Sequence, residues 1–242
     1  MRLTGKLLIG LGLAACLMPA LAPSASAQEI VVTGSRIRHG NGYYDTSSPA
    51  PNLTLRRTAD FAVQQVTVTG DTRDPDKRHE EIYAMVRQAI GLADKFGVQL
   101  ATGETVVEPL TLANYRNLTL AKDDDRDDTE STTFLIKVPL VPGMDAKAAL
   151  DRFAKFVAAV PAVGRAEMKA EDDLTLSVVN PEQYRGAILD LVAAEAQATA
   201  GKFGPGYGVQ VDGLQNRVQW SRASLTEVFL YLPVSYQVRP KN

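Results

Sequence analysis

Three aspartates at alternate positions, Asp123, Asp125 and Asp127, are the residues of this 242-residue chain best spaced to hold a hard cation. Calcium takes six to eight oxygen ligands, and loops that bind it offer carboxylates at alternate positions, a glycine at the sixth and a bidentate glutamate at the twelfth. Here Asp128 stands where the glycine should be, and Phe134 stands where the glutamate should close the site. The run from Asp123 to Glu130 therefore reads as a solvated acidic loop. His39 and His79 have no cysteine or second histidine at ligand spacing, so neither marks a metal site. Ser221 and Ser224 lie outside any Gly-x-Ser-x-Gly turn, and two histidines give a catalytic triad little material. Gly204-Pro205-Gly206-Tyr207-Gly208 has the glycine density of a phosphate cradle, but it follows a helical period and offers an anion no helix N-terminus. It reads as a structural turn. Trp220 is expected in the core, and Tyr231 and Tyr236 as ordinary strand residues. No catalytic, cofactor-binding or metal-ligating residue is assigned, and the chain is expected to be non-enzymatic and free of cofactors. An enzyme of another kind, for instance a hydrolase using scattered Asp and Ser residues, would need groups that nothing in the sequence places together.

Composition narrows the partners. Apolar residues at 45% and charged residues at 22% describe an ordinary globular chain. A net charge of −2 supplies no electrostatic reason to expect nucleic acid or an acidic membrane surface. At the start, Arg2 and Lys6 precede an apolar run from Leu7 to Leu21, and Ala25-Ser26-Ala27 offers signal peptidase a small-residue site. A run this short, interrupted by Pro19, is a poor permanent span, which needs about 20 apolar residues. Residues 1–27 are thus expected to be a signal peptide and the mature chain to be periplasmic. Leu13-Ala14-Ala15-Cys16 also fits a lipobox, which would lipidate Cys16 and give an outer-membrane lipoprotein, the one route to a membrane. Against it, Leu17-Met18-Pro19-Ala20-Leu21 continues the apolar run where the linker after a lipidated cysteine is usually polar. Cleavage after Ala27 would remove the single cysteine and leave neither disulfide nor thiolate.

Behind the signal, residues 28–59 read as a flexible segment and linker. His39-Gly40-Asn41-Gly42 and Thr46-Ser47-Ser48-Pro49-Ala50-Pro51 are breaker residues without an apolar period. From Asp60 the pattern becomes regular. Phe61, Val63, Val66 and Val68 alternate with polar neighbours, and the change of phase between Val63 and Val66 requires a bulge or a break. A first helix is predicted from Asp76 to Phe96, with Ile82, Val86, Ala89, Ile90 and Ala93 on one stripe, Pro75 at its start and Gly97 past its end. Short strands follow at Val98–Ala101, Thr105–Val107 and Asn117–Leu120, then a clear one from Thr132 to Val138. Asp145 caps a second helix carrying Ala149, Phe153, Phe156, Val157 and Val160. Val163–Lys169 and Leu174–Val179 read as a hairpin turning at Glu171-Asp172-Asp173. A third helix opens at Asn180-Pro181 and closes near Gly201. Three strands finish the chain: Tyr207–Val211, Arg217–Trp220, and Thr226–Val238, in which Pro233 implies an edge or a bulge. Helices and hairpins in this mixture predict one α+β unit over 60–240, with three helices on mixed or antiparallel sheet.

This order resembles the SIMPL family of exported bacterial proteins. The resemblance is carried by Val66-Thr67-Val68-Thr69-Gly70 before the first helix, Phe96-Gly97-Val98 after it, and the strand from Thr132 to Leu140. It continues in the Ala-rich third helix and Gly201-Lys202-Phe203-Gly204, where small residues would let the helix lie close on a sheet. The acidic loop at Asp123–Glu130 and the strand after Ala166 match less well. The resemblance implies a non-enzymatic interaction or oligomer-forming module in envelope maintenance, with self-association, since some members assemble into hollow oligomers. A second resemblance covers Glu29-Ile30-Val31-Val32-Thr33-Gly34-Ser35-Arg36, which is similar to the opening segment of TonB-dependent receptors. The chain is too helical to be such a barrel. The segment either contacts TonB through Ile30, Val31, Val32 and Thr33, by adding a strand to its partner, or shares composition only. Alone it is expected to be disordered, because three apolar residues do not offset the cost of ordering a chain end.

Overall fold

The structure, a computed structural model, describes residues 29–32, 53–103 and 107–241. The expected signal peptide with Cys16, and Thr33, His39 and Thr105, lie outside the described residues. In chain order the elements are β1 (Glu29–Val32), β2 (Leu55–Thr58), β3 (Phe61–Gly70), α1 (Pro75–Phe96), β4 (Gln99–Thr102) and β5 (Glu108–Pro109). A 3₁₀ turn (Tyr115–Asn117), β6 (Ala121–Lys122), β7 (Glu130–Pro139), α2 (Ala146–Ala159) and β8 (Glu167–Val179) follow. The chain ends with a second 3₁₀ turn (Pro181–Tyr184), α3 (Arg185–Phe203), β9 (Tyr207–Asp212), β10 (Gln219–Arg222), β11 (Glu227–Tyr231) and β12 (Ser235–Pro240). It is a mixed α+β fold with three α-helices among the described residues, and every strand pair is antiparallel.

The main sheet runs β1-β8-β3-β7-β4-β5, with β6 also on β7. β3 and β7 pair without interruption from Phe61↔Pro139 to Gly70↔Glu130. Ala62, Val66 and Val68 then fall on one face with Phe134, Ile136 and Val138, and α1 and α2 cover that face through Ile82, Val86, Phe153 and Phe156. Each helix is bounded by its sequence. The Asp74 carboxylate accepts from the Lys77 amide at 3.2 Å and Gly97 closes α1 at φ 62°. The Asp145 carboxylate accepts from the Lys147 amide at the start of α2.

The expected bulge exists, but in β8. β3 keeps one phase, and β8 slips between the pairs Gln64↔Leu174 and Val66↔Ala170, so residues 171–173 stand opposite Gln65 alone. The residues read as a hairpin turn are therefore the bulge of one continuous strand. The Gln64 amide nitrogen donates to the Glu171 carbonyl at 2.6 Å, and Gln65 donates to its carboxylate at 2.8 Å, which gives Glu171 partners inside the sheet.

Four other expectations change. Asn117 belongs to the 3₁₀ turn, and the chain from Leu118 reaches a strand only at Ala121. The stretch around Pro233 is two strands in two sheets: β11 lies central in β10-β11-β2, and β12 pairs with β9 in a separate ribbon. A residue without an amide proton suits the crossing between them. Residues 28–59 are not free of structure at the ends that are described. Leu55–Thr58 completes the small sheet beside β11, and Glu29–Val32 lies along the outer edge of β8. An open edge on each sheet gives these short segments backbone partners that the sequence does not reveal. The Ala-rich helix buries only Ile188 and Val192 and packs mainly on β9, so its alanines do not lie on the main sheet.

Candidate functional site

Two places bring unrelated parts of the chain together. The first is the end of β8. Asp60, between β2 and β3, organises it: its amide donates to the Ser177 carbonyl at 3.0 Å, and its carboxylate accepts from the Val179 amide at 2.7 Å. Arg57 holds the same carboxylate at 3.0 Å while its guanidinium lies 4.1 Å from the centre of the Tyr184 ring. Leu176, Ser177 and Val178 are buried, so the strand end is fixed by the core as well as by Asp60. Against its outer edge runs β1, in the register Glu29↔Val179, Ile30↔Val178, Val31↔Ser177 and Val32↔Leu176. Three of the four residues expected to contact a partner strand thus pair with a strand of their own chain; Thr33 lies outside the described residues.

The second is a charged network where α1 begins. Glu130, at the start of β7, accepts from Arg78 Nε and lies against His79 Nε2, both at 2.7 Å and both through one carboxylate oxygen. Arg78 also donates to the Thr72 carbonyl. One helical turn on, Glu81 accepts from the Thr72 hydroxyl at 2.5 Å and from the Arg165 amide at 3.2 Å. Arg165 in turn grips Asp71 through two nitrogens at 2.6 and 2.7 Å. Burial would push the Glu130 carboxyl up, yet Arg78 and His79 outweigh it and hold it below its ordinary value. The Thr72 hydroxyl, then the Arg165 amide, lower Glu81 against the opposing effect of burial. A groove of about 480 Å³ opens beside this network, lined by Asp71, Arg126, Thr129, Arg165, Glu167 and Lys169. Its ionic groups are spent on one another, Asp71 on Arg165 and Arg126, and Glu167 on Lys169. A Glu–His pair is present, and the Thr72 hydroxyl donates to Glu81. The arrangement ties α1 to β7 and to the turn before β8.

No family model matches this chain, and no curated protein and no solved structure matches it.

The residues weighed for chemistry stay apart. Residues 123–129 form the β6–β7 connection, where the Asp123 carboxylate accepts from the Asp125 amide at 2.9 Å. Among the described residues no three His, Cys, Asp or Glu side chains are grouped to hold a metal ion. The Ser224 hydroxyl receives the Glu227 amide at 3.1 Å and serves the turn between β10 and β11; Ser221 is a β10 residue. In the glycine-rich stretch the Tyr207 amide donates to the Gly204 carbonyl, as expected of a turn. Trp220 is half-buried on β10 against the core. Sequence reading passed over Arg78 and Glu81, and it placed Glu130 in the solvated acidic loop, whereas Glu130 is buried at the start of β7. Arg78 lies four residues before Ile82, on the apolar stripe of α1, and Glu130 shares the inward phase of β7, whereas Glu81 is buried although it stands off that stripe. A charge at an inward position was the available signal.

Proposed function

We propose that this chain is an exported, SIMPL-type protein of the cell envelope, working without chemistry of its own as an interaction or oligomer-forming module. The observation that carries the proposal is the unit formed by α3 and the β9–β12 ribbon. Leu191, Phe203 and Tyr207 are 37%, 55% and 42% exposed, and among the described residues β9 and β12 pair only with each other. A two-stranded ribbon with open edges beside an apolar helix is what a partner surface requires, since isolated ribbons are marginal in water. Light scattering on the purified chain after size exclusion should report more than a monomer, with Phe203→Ser and Tyr207→Ser together shifting it toward monomer. A strict monomer with no partner in cross-linked envelopes would count against the proposal.

A second reading, contact with TonB through Ile30, Val31, Val32 and Thr33, draws support from the backbone pairing of β1, because Glu29–Val32 takes the strand form that such contact needs. Deleting residues 28–38 should abolish capture by the TonB C-terminal domain and leave the fold intact. Undiminished capture would remove this reading.

A further inference from the structure

Backbone groups of neighbouring residues in an antiparallel strand point alternately to its two sides. The Ser177 carbonyl and the Val179 N–H are engaged on the β3 side, through Asp60. Leu176 and Val178 therefore turn their N–H and C=O groups to the outer edge of β8, where β1 lies. The register makes Ile30↔Val178 and Val32↔Leu176 the hydrogen-bonded pairs, while Val31, opposite Ser177, directs its own N–H away. Leu176 and Val178 are core residues, 2% and 0% exposed, so this edge is held rigid from behind. A rigid edge with two N–H and two C=O groups presented together is a template for an extended chain.

We infer that the outer edge of β8 at Leu176–Val179 is a binding site for an extended peptide with apolar residues two apart, and that Glu29–Val32 is its resident ligand. Backbone hydrogen bonds supply the affinity, and alternate positions, those of Ile30 and Val32, supply the selectivity. A segment carried on the same chain acts at an effective concentration on the order of millimolar, so a foreign strand meets an occupied site. The converse also holds. While docked, residues 30–32 are withheld from any partner strand, and their apparent affinity falls with the undocked fraction. The site does not depend on self-association, and it sets a condition on the partner-strand reading.

The probe is a fluorescent synthetic peptide spanning Gln28–Arg38, added to the intact chain and to the chain carrying Ile30→Pro and Val32→Pro. Those prolines remove the two N–H groups that face β8. The substituted chain should bind the peptide, and the intact chain about tenfold more weakly, for an effective concentration of ~1 mM and a peptide Kd of ~0.1 mM. Val31→Pro, whose lost N–H faces away, should exclude the probe nearly as well as the native residue. Equal binding to native and doubly substituted chains would overturn the inference, as would no binding to a substituted chain that melts with the native one. Amide exchange on the native chain decides without any substitution. The Leu176 and Val178 amides should be protected, and rapid exchange at both would show the edge to be empty.

Discussion

Gly164 is the residue on which the network at the start of α1 turns. Its φ is 57°, and a side chain there would overlap the Glu81 carboxylate that receives the Arg165 amide. Gly164→Ala meets a left-handed strain of about 1–2 kcal/mol. It also displaces a charge-assisted hydrogen bond worth about 1.5–3 kcal/mol. Urea unfolding should show a loss of about 2–4 kcal/mol, and a loss below ~0.5 kcal/mol would mean the turn relaxes freely. Glu130→Ala should cost more, about 3–5 kcal/mol, because it strands Arg78 inside the protein, whereas exchanging both for apolar residues should be close to neutral. Acid should act on the same groups. Glu130 and Glu81 have folded-state pKa values below the ordinary 4.5, so the unfolded chain binds more protons. Their contribution is complete above pH 4.5 and fades as pH falls through the lower folded values. Unfolding free energy measured against pH should drop in that acid range, with a shallower slope in Glu130→Gln. These partners were not legible in the sequence, since Arg78 and Glu130 lie far apart along the chain and meet only through the β3–β7 register.

Whole elements were legible where local chemistry and packing agree. The stripe of α1, its proline entry and its glycine exit all say the same thing, and the helix spans Pro75–Phe96. β8 was misread because Glu171-Asp172-Asp173 is turn chemistry by composition, and only pairing with Gln64 and Gln65 keeps the strand running through it. The seats of β1 and β2 were illegible for a different reason: four-residue strands carry too little pattern, and the edges that receive them lie elsewhere in the sequence. At this scale Tyr236 of β12 offers a check. Its hydroxyl is buried without a hydrogen-bond partner among the described residues, and burial, followed by the charge of Glu195, pushes its pKa up. Tyr236→Phe removes an unsatisfied group and should raise stability by about 1 kcal/mol, read as a higher melting temperature. A loss instead would reveal a hidden partner for the hydroxyl.

Across the molecule, protection should divide along the sheets. β3 and β7 hold the interior, whereas α3 beyond Val192 buries none of its residues. Hydrogen exchange should be slowest over 61–70 and 130–139 and markedly faster over 193–212 and 235–240, and uniform protection would contradict this. The placement of β3 also sets a clock. Val66 pairs with Phe134 on one side and with Ala170 on the other, so the central strand is made first and completed last. A growing chain carries this apolar segment unpaired until β7 has emerged, and with its second edge open until the residues up to Ser177 follow. Such long-range closure is slow, on the order of milliseconds to seconds, and leaves an interval in which neighbouring chains compete for the same strand. Survival of that interval rests on whatever keeps nascent chains apart.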